Sequence, residues 1–549
     1  MLACLTKTDQ AQHTIINSVF QQVRRLLRHL VIYGLGDAAT SVASLLLLPL
    51  FTYYLKPADY GVITALLIVE AVTRILFRWG TDSAFMRLYY DCANESDQQR
   101  LTSTIVWFLL GINFFLLVLG FAGAPLLGRY FFETPVHDGL VRLVIFNTFL
   151  STFQFIPNCL LRLREQSKLF SVLTFIKSAG TIILRLVLVV PLRMGVDGVV
   201  LSDTIMAVVM TIVMAPWVLP LLRPVFSRQL LRESLRFGFP RLPHALAHQA
   251  IASSDRAILV LFVSMREIGL YGVGASFGMA LKLVLNGFEF AWAPFYFGAM
   301  KRPDAKQIYS RLTTYVLGVV VFFGAGLSAV AADLVRLMTK PEFQQASVVI
   351  PIVVLGVVAQ TGYQMTAVGL NITKQTKYFP IATGIAACVS VTANLLLIPT
   401  MGFVGAAWAN AIAYTTLTLF IGFFSQRVYP VAYEWRRLGL IAGAGIFAYA
   451  AARLLVPAQH SAVAGFLMRG TVVTVLYPAV LWIAGFLEAP ELRRLISLWA
   501  SLSTTRRVQA TADETAEMGG EIISDSSGRL ELDTPNPPTQ TDGEPRSGT

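Results

Sequence analysis

A set of ionisable side chains falls inside apolar stretches of this sequence, where charge is costly and marks function by default. Glu70, Arg74 and Arg78 are spaced i, i+4, i+8, which on a helix aligns them along one stripe. Asp37, Lys177, Arg185 and Asp203 lie in neighbouring apolar stretches. Farther on come Asp255 and Arg256, then Lys282 and Glu289 at i, i+7. Arginine offers a planar fork of donors to paired oxygens, and lysine a compact point charge. Arg74, Arg78, Lys177, Arg185, Arg256 and Lys282 are therefore candidates to line an electropositive cavity. The acids Asp37, Glu70, Asp203, Asp255 and Glu289 would either take a coupling ion or pair internally with these bases. Pairing of Glu70 with Arg74, of Lys282 with Glu289, and of Asp255 with a distant base accounts for each residue as well as ligand contact does. As a set, four bases against three acids up to Asp203 tilt the balance toward an anionic substrate.

The elements that must position these groups are membrane helices. Of 549 residues, 55% are hydrophobic and 14% charged, against about 25% charged in a soluble domain. So much apolar surface exceeds what a water-soluble core of this size hides, and lipid is its natural solvent. A helix crosses a bilayer with about 20 apolar residues. Runs of that kind lie near 30–54, 60–86, 103–127, 139–161, 169–192, 196–222, 236–263, 268–299, 312–338, 344–371, 378–399, 403–426, 436–456 and 463–487. The expected fold class is all-α and polytopic, with about fourteen transmembrane helices.

Charge in the connecting segments sets the orientation. One side carries Arg24, Arg25 and Arg28, then Arg100, then Arg162, Arg164 and Lys168, then Arg223, Arg228, Arg232 and Arg236. Lys301, Arg302, Lys306 and Arg311 continue it, followed by Lys374 with Lys377, Arg427 with Arg436 and Arg437, and Arg493 with Arg494. The other side has Lys56, Arg129, Arg193, Arg266, Lys340 and Arg453, about one per loop. The positive-inside rule then predicts both termini in the cytoplasm and an even number of spans. The polar opening of roughly thirty residues lacks the form of a cleavable signal peptide, so the first span is expected to serve as its own insertion signal.

Several function classes lose support. From Val508 the chain carries nine acids against two bases, a net of −7, which leaves +19 on the rest of a chain whose total is +12. Those bases sit at the ends of apolar runs, so topology explains them better than nucleic acid does. The segment from about 505 is acidic and rich in Thr, Pro, Gly and Ser, the composition of a disordered tail. Cys4, Cys92, Cys159 and Cys388 form no CxxC pair, and neither a disulfide frame nor a zinc site is expected. His244 and His248, at i, i+4, have no third ligand nearby and read as structural. Tyr53-Tyr54, Tyr89-Tyr90 and Phe295-Tyr296-Phe297 fall at span ends, where aromatic side chains anchor to the interface. No P-loop, Gly-rich nucleotide motif or nucleophile–base–acid arrangement is present. A membrane glycosyltransferase or glycan polymerase, which needs large extramembrane loops with catalytic carboxylates, fits poorly. No enzyme activity, cofactor or metal is expected.

A weak internal repeat organises the spans. Lys56-Pro57-Ala58-Asp59-Tyr60-Gly61 enters the second span and Arg266-Glu267-Ile268-Gly269 the eighth, with the acids 208 positions apart. Met194-Gly195-Val196-Asp197-Gly198 leads into the sixth span and Met401-Gly402-Phe403-Val404-Gly405 into the twelfth, 207 apart. This predicts a duplicated six-helix unit: residues 1–29 as a cytoplasmic segment, 30–222 and 223–428 as two lobes, 429–487 as accessory helices, and 488–549 as a cytoplasmic tail. Two such lobes suggest a transporter with its substrate site at the repeat interface.

Tyr33-Gly34-Leu35-Gly36 and Leu48-Pro49-Leu50-Phe51-Thr52-Tyr53-Tyr54-Leu55-Lys56-Pro57-Ala58-Asp59-Tyr60-Gly61 resemble the multidrug/oligosaccharidyl-lipid/polysaccharide exporter superfamily, in its polysaccharide flippase branch. Asn394-Leu395-Leu396-Leu397-Ile398-Pro399, with Gly402 and Gly405-Ala406-Ala407, is similar to that family's junction between helices eleven and twelve. The resemblance covers the first twelve spans and identifies the fold better than the substrate. It implies two pseudo-symmetric lobes, a central cavity and alternating access. Its flippase members move polyprenyl-diphosphate-linked sugars outward across the cytoplasmic membrane, for surface polysaccharides such as lipopolysaccharide. The implied partners are a lipid-linked anionic glycan, membrane lipid, a proton or sodium ion, and other polysaccharide assembly proteins. The alternative within the superfamily is a cation-coupled multidrug or metabolite exporter, which would favour acids in the cavity.

Overall fold

A computed structural model describes residues 47–486 except 93, 133–136, 165, 240–241, 458–459 and the side chains of 82, 83, 90, 162, 167, 244, 284, 286, 287, 289–291 and 294. Asp37, most of the first apolar run, the N-terminal segment and the acidic tail lie outside the described residues. Residues 47–54 are helical. Eighteen helices follow: α1 (Pro57–Arg78), α2 (Thr81–Asp91), α3 (Glu95–Phe132), α4 (Asp138–Phe153), α5 (Phe155–Leu163), α6 (Ser167–Val189), α7 (Gly195–Val218), α8 (Arg228–Gly238), α9 (Leu242–Phe262), α10 (Met265–Met279), α11 (Lys282–Ala299), α12 (Ala305–Met338), α13 (Ile350–Thr366), α14 (Val368–Ile372), α15 (Tyr378–Met401), α16 (Phe403–Val428), α17 (Trp435–Leu455) and α18 (Ala462–Ile483). No strand occurs among the described residues.

Among the described residues, eleven stretches are helical, long and apolar enough to cross a membrane. Their outer faces carry large apolar side chains, such as Phe115 at 62% exposure, Leu126 at 74% and Leu454 at 83%. Water would not support that surface; hydrocarbon does. This is a multi-pass membrane protein.

Local sequence explains where the helices start and break. Pro57 occupies the first turn of α1, where a missing N–H costs nothing, and the Asp59 carboxylate accepts from the Lys56 N–H at 2.8 Å. Trp79 and Gly80 take left-handed φ of 52° and 68°, which separates α1 from α2. Asn113 Nδ2 from α3 donates to the freed Phe77 carbonyl at 2.9 Å and Thr81 Oγ1 to that of Arg78 at 2.8 Å. Pro157 has no N–H to give to residue 153, and α4 gives way to α5 there. The long eighth run, 268–299, is likewise two helices, α10 and α11, broken at Ala280–Leu281. The seventh run begins later than expected, because Arg228–Gly238 forms a separate amphipathic helix, α8, docked on α2 by backbone approach of Gly238 to Gly80.

Packing follows small residues, as in membranes generally. Helix α1 lies against α4 within the first six spans, and against α10 and α9 of the next six. The α1–α10 crossing brings backbone against backbone: a Cβ at Gly61 would overlap the Met265 carbonyl, and one at Gly269 the Pro57 carbonyl. These are the two glycines that the sequence repeat places 208 positions apart. The second pair of repeat glycines, Gly195 and Gly402, shares one backbone state, φ +59°. Beyond them, α17 packs on α12 through Ala325, Ala329, Ala444, Ala448 and Ala452. Helix α18 is held to α12 by a buried Arg469–Asp333 ion pair and by Tyr477 Oη donating to the Gly318 carbonyl at 2.8 Å.

Candidate functional site

A cavity of about 630 Å³ is walled by α1, α2, α4, α5, α6 and α7. Glu70, Arg74 and Arg78 all line it from α1, so the i, i+4, i+8 stripe faces inward. Lys177 and Arg185 enter from α6 and Asp203 from α7. All six described ionisable candidates of the first six spans thus come together, four bases and two acids, a surplus of two positive charges. Its described lining runs from Leu67 to Asp203. Every residue of that described lining belongs to the first six spans, whereas the repeat led to the expectation of a site shared between the two halves.

Internal pairing and open donors coexist in it. The Arg74 guanidinium is paired with Glu70 one helical turn away. Arg185 Nη2 donates to both Asp203 oxygens, at 2.7 and 2.8 Å. That leaves Arg185 Nε buried and without a partner among the described residues. Lys177 Nζ donates to an amide, Gln154 Oε1 at 3.0 Å, and so keeps its charge uncompensated by direct contact. Gln154 is fixed in turn: its Nε2 donates to the Ala207 carbonyl at 3.0 Å and to Thr211 Oγ1 at 3.2 Å.

The remaining candidates lie elsewhere. Arg256 and Lys282 do not line this cavity. They sit on α9 and α11, and α9 packs chiefly on α15 and α16 while meeting the cavity's helices through α1. Asp255 is 3% exposed and accepts a hydrogen bond from the Tyr271 hydroxyl, so a phenol supplies the partner that a distant base was expected to provide. Its other oxygen takes the Arg256 backbone N–H at 2.8 Å. Glu289 is on α11, and its side chain lies outside the described ones, so the Lys282–Glu289 pair does too.

Uncharged lining residues were not singled out from the sequence. Asn147, Ser151, Gln154 and Asn158 all face the cavity from α4, α5 and the turn between them. Their spacing of 4, 3 and 4 is the signal that was present, a helical stripe of amides and a hydroxyl inside an apolar run. The Asp333–Arg469 pair was also passed over, because each stands toward an end of its run, where charge usually reaches for the interface.

Comparisons with known proteins agree with this architecture. The chain is similar in structure to "Lipid II flippase MurJ, inward closed conformation", with TM-score 0.68 and 14% identity, over 82% of this chain and 98% of that one. An inward-facing multidrug resistance MATE family transporter of the MOP superfamily gives TM-score 0.52 and 15% identity, over 75% of this chain and 96% of that one. The fold is that of the multidrug/oligosaccharidyl-lipid/polysaccharide exporter superfamily. Residues 53–288 match the family model described as polysaccharide biosynthesis protein, and they include every described residue lining the cavity. None of the curated proteins matches the sequence.

Proposed function

We propose that this protein is a flippase that carries a polyprenyl-diphosphate-linked oligosaccharide outward across the cytoplasmic membrane, by alternating access, for surface polysaccharide assembly. The observation that carries the reading is the charge of the cavity. A diphosphate diester bears two negative charges and only acceptor oxygens; the cavity presents a surplus of two positive charges and a set of donors. In this reading the headgroup enters from the cytoplasm while the polyprenyl tail stays in lipid. Arg78 and Lys177 meet the phosphates, and the substrate competes with Glu70 for Arg74 and with Asp203 for Arg185. When the headgroup leaves on the outer side those pairs close again, which discourages rebinding. The two lobes, residues 30–222 and 223–428, rock about the α1–α10 crossing, with 429–487 as an accessory pair and both termini cytoplasmic. Asp203 and Asp255 are the described acids available to a coupling proton or sodium ion, and Arg256 and Lys282 act outside the headgroup cavity.

The test is flipping of lipid-linked sugar by reconstituted Arg74→Ala, Arg78→Ala, Lys177→Ala and Arg185→Ala proteins that remain monodisperse. A charge-assisted hydrogen bond is worth about 1.5–3 kcal/mol, so each loss is expected to slow transport by about 10- to 100-fold. Normal rates in all four would exclude a cationic headgroup site.

A further inference from the structure

The cavity has two chemically different walls. Its charges come from α1, α6 and α7, whereas α4 and α5 contribute Asn147, Ser151, Gln154 and Asn158, all neutral. Phosphate oxygens only accept hydrogen bonds and call for donors. Sugar hydroxyls both donate and accept, and a side-chain amide answers both needs, with an NH2 and a carbonyl in one plane. Gln154 is committed to Lys177, Ala207 and Thr211. The stripe to either side of it is not: Ser151 reaches Asn147 Oδ1 only at a long 3.4 Å, and no hydrogen bond to a described residue engages the Asn147 NH2 or the Asn158 amide. Half-buried amides in a membrane-embedded cavity carry a desolvation cost that a hydroxylated ligand offsets. Size limits how much of such a ligand is read. About 630 Å³ lies within the range of small-molecule pockets, roughly 300–1,000 Å³, room for a diphosphate and its nearest sugar, with the rest of a long glycan outside its walls.

We propose that Asn147, Ser151 and Asn158 form a specificity site for the first sugar attached to the diphosphate, leaving the distal sugars unread. This rests on the flippase reading, from which it is separable by experiment. Binding to purified full-length protein would be compared for polyprenyl diphosphate without sugar, polyprenyl diphosphate bearing one sugar, and its epimer at one hydroxyl. The wild type is expected to bind the preferred one-sugar lipid at least tenfold tighter than the bare lipid or the epimer. The Asn147→Ala/Asn158→Ala protein is expected to lose that preference while binding bare lipid diphosphate unchanged, which also reports an intact fold. The Asn147→Ser/Asn158→Ser protein should recover part of the preference. If the preference survives in the alanine protein, or the wild type has none, the sugar site is wrong and the cationic site stands. If the wild type fails to bind bare lipid diphosphate, or Arg74→Ala, Arg78→Ala, Lys177→Ala and Arg185→Ala all bind it normally, the cationic reading fails and the sugar site falls with it.

Discussion

Lys177 shows why partner identity matters as much as position. A lysine held by a carboxylate presents little net field; one held by Gln154 is oriented by a hydrogen bond of 3.0 Å while its charge remains to act. Gln154→Glu keeps the reach and cancels the charge. Binding of lipid diphosphate should weaken by about tenfold, the equivalent of about 1.4 kcal/mol, with some thermal stability lost because a carboxylate cannot replace the Nε2 donation to the Ala207 carbonyl. Titration of the purified variant checks this, and unaltered affinity would show that Lys177 does not meet the anion. Charged residues of the site were legible in the sequence because an ionisable group in an apolar run is conspicuous. Asn147, Ser151 and Asn158 were not, since their polarity is modest and only their shared cavity face distinguishes them. Nor does sequence reveal which acid each base meets: Glu70–Arg74 is local and could be foreseen, but Arg185–Asp203 joins two helices. The Tyr271 hydroxyl on Asp255 was equally hidden, because a tyrosine in an apolar run reads as packing.

At the level of elements, runs of apolar residues located the helices well, and the repeat of glycines marked the contacts that matter. What the runs could not convey was continuity. Pro157 explains the α4–α5 break through its absent N–H, whereas the α10–α11 break at Ala280–Leu281 has no such local marker. Helix α8 was concealed because its apolar side faces the protein and its arginines lengthen a basic loop. The α1–α10 crossing admits the sharpest test. A methyl at Gly269 has backbone, not a flexible side chain, in its way, so the helices must part. Gly269→Ala should lower the melting temperature by several degrees, in line with an overpacking cost of about 1–3 kcal/mol, and slow transport further than the stability loss explains. A Gly269→Ala protein with wild-type melting and flipping would remove the crossing from both roles.

For the molecule as a whole, the expected orientation rests on the basic loops and is open to direct test. Lys340 and Lys377 flank the stretch Ile350–Ile372, whose 23 helical residues span about 34 Å, so they lie at opposite ends. In a cysteine-free background, Lys377→Cys should react with an impermeant thiol reagent only from the cytoplasmic side and Lys340→Cys only from outside. The reverse pattern would invert the topology and the proposed direction of entry. Fold class was plain from composition and run length, because lipid imposes its own period and length on a chain. That the described lining of the cavity falls in one half was not, because the repeat suggests equal partners. Asp203 stands eight residues past Gly195, and Asn410 eight past Gly402, yet only the former is a carboxylate. Asn410 is 6% exposed, with Gly356 leaving its Oδ1 just enough room: a Cβ there would come within 3.2 Å. The two halves thus differ in kind at this matched position, an ion-paired carboxylate in the first and a buried, tightly packed amide in the second, so like places in the repeat need not do like work.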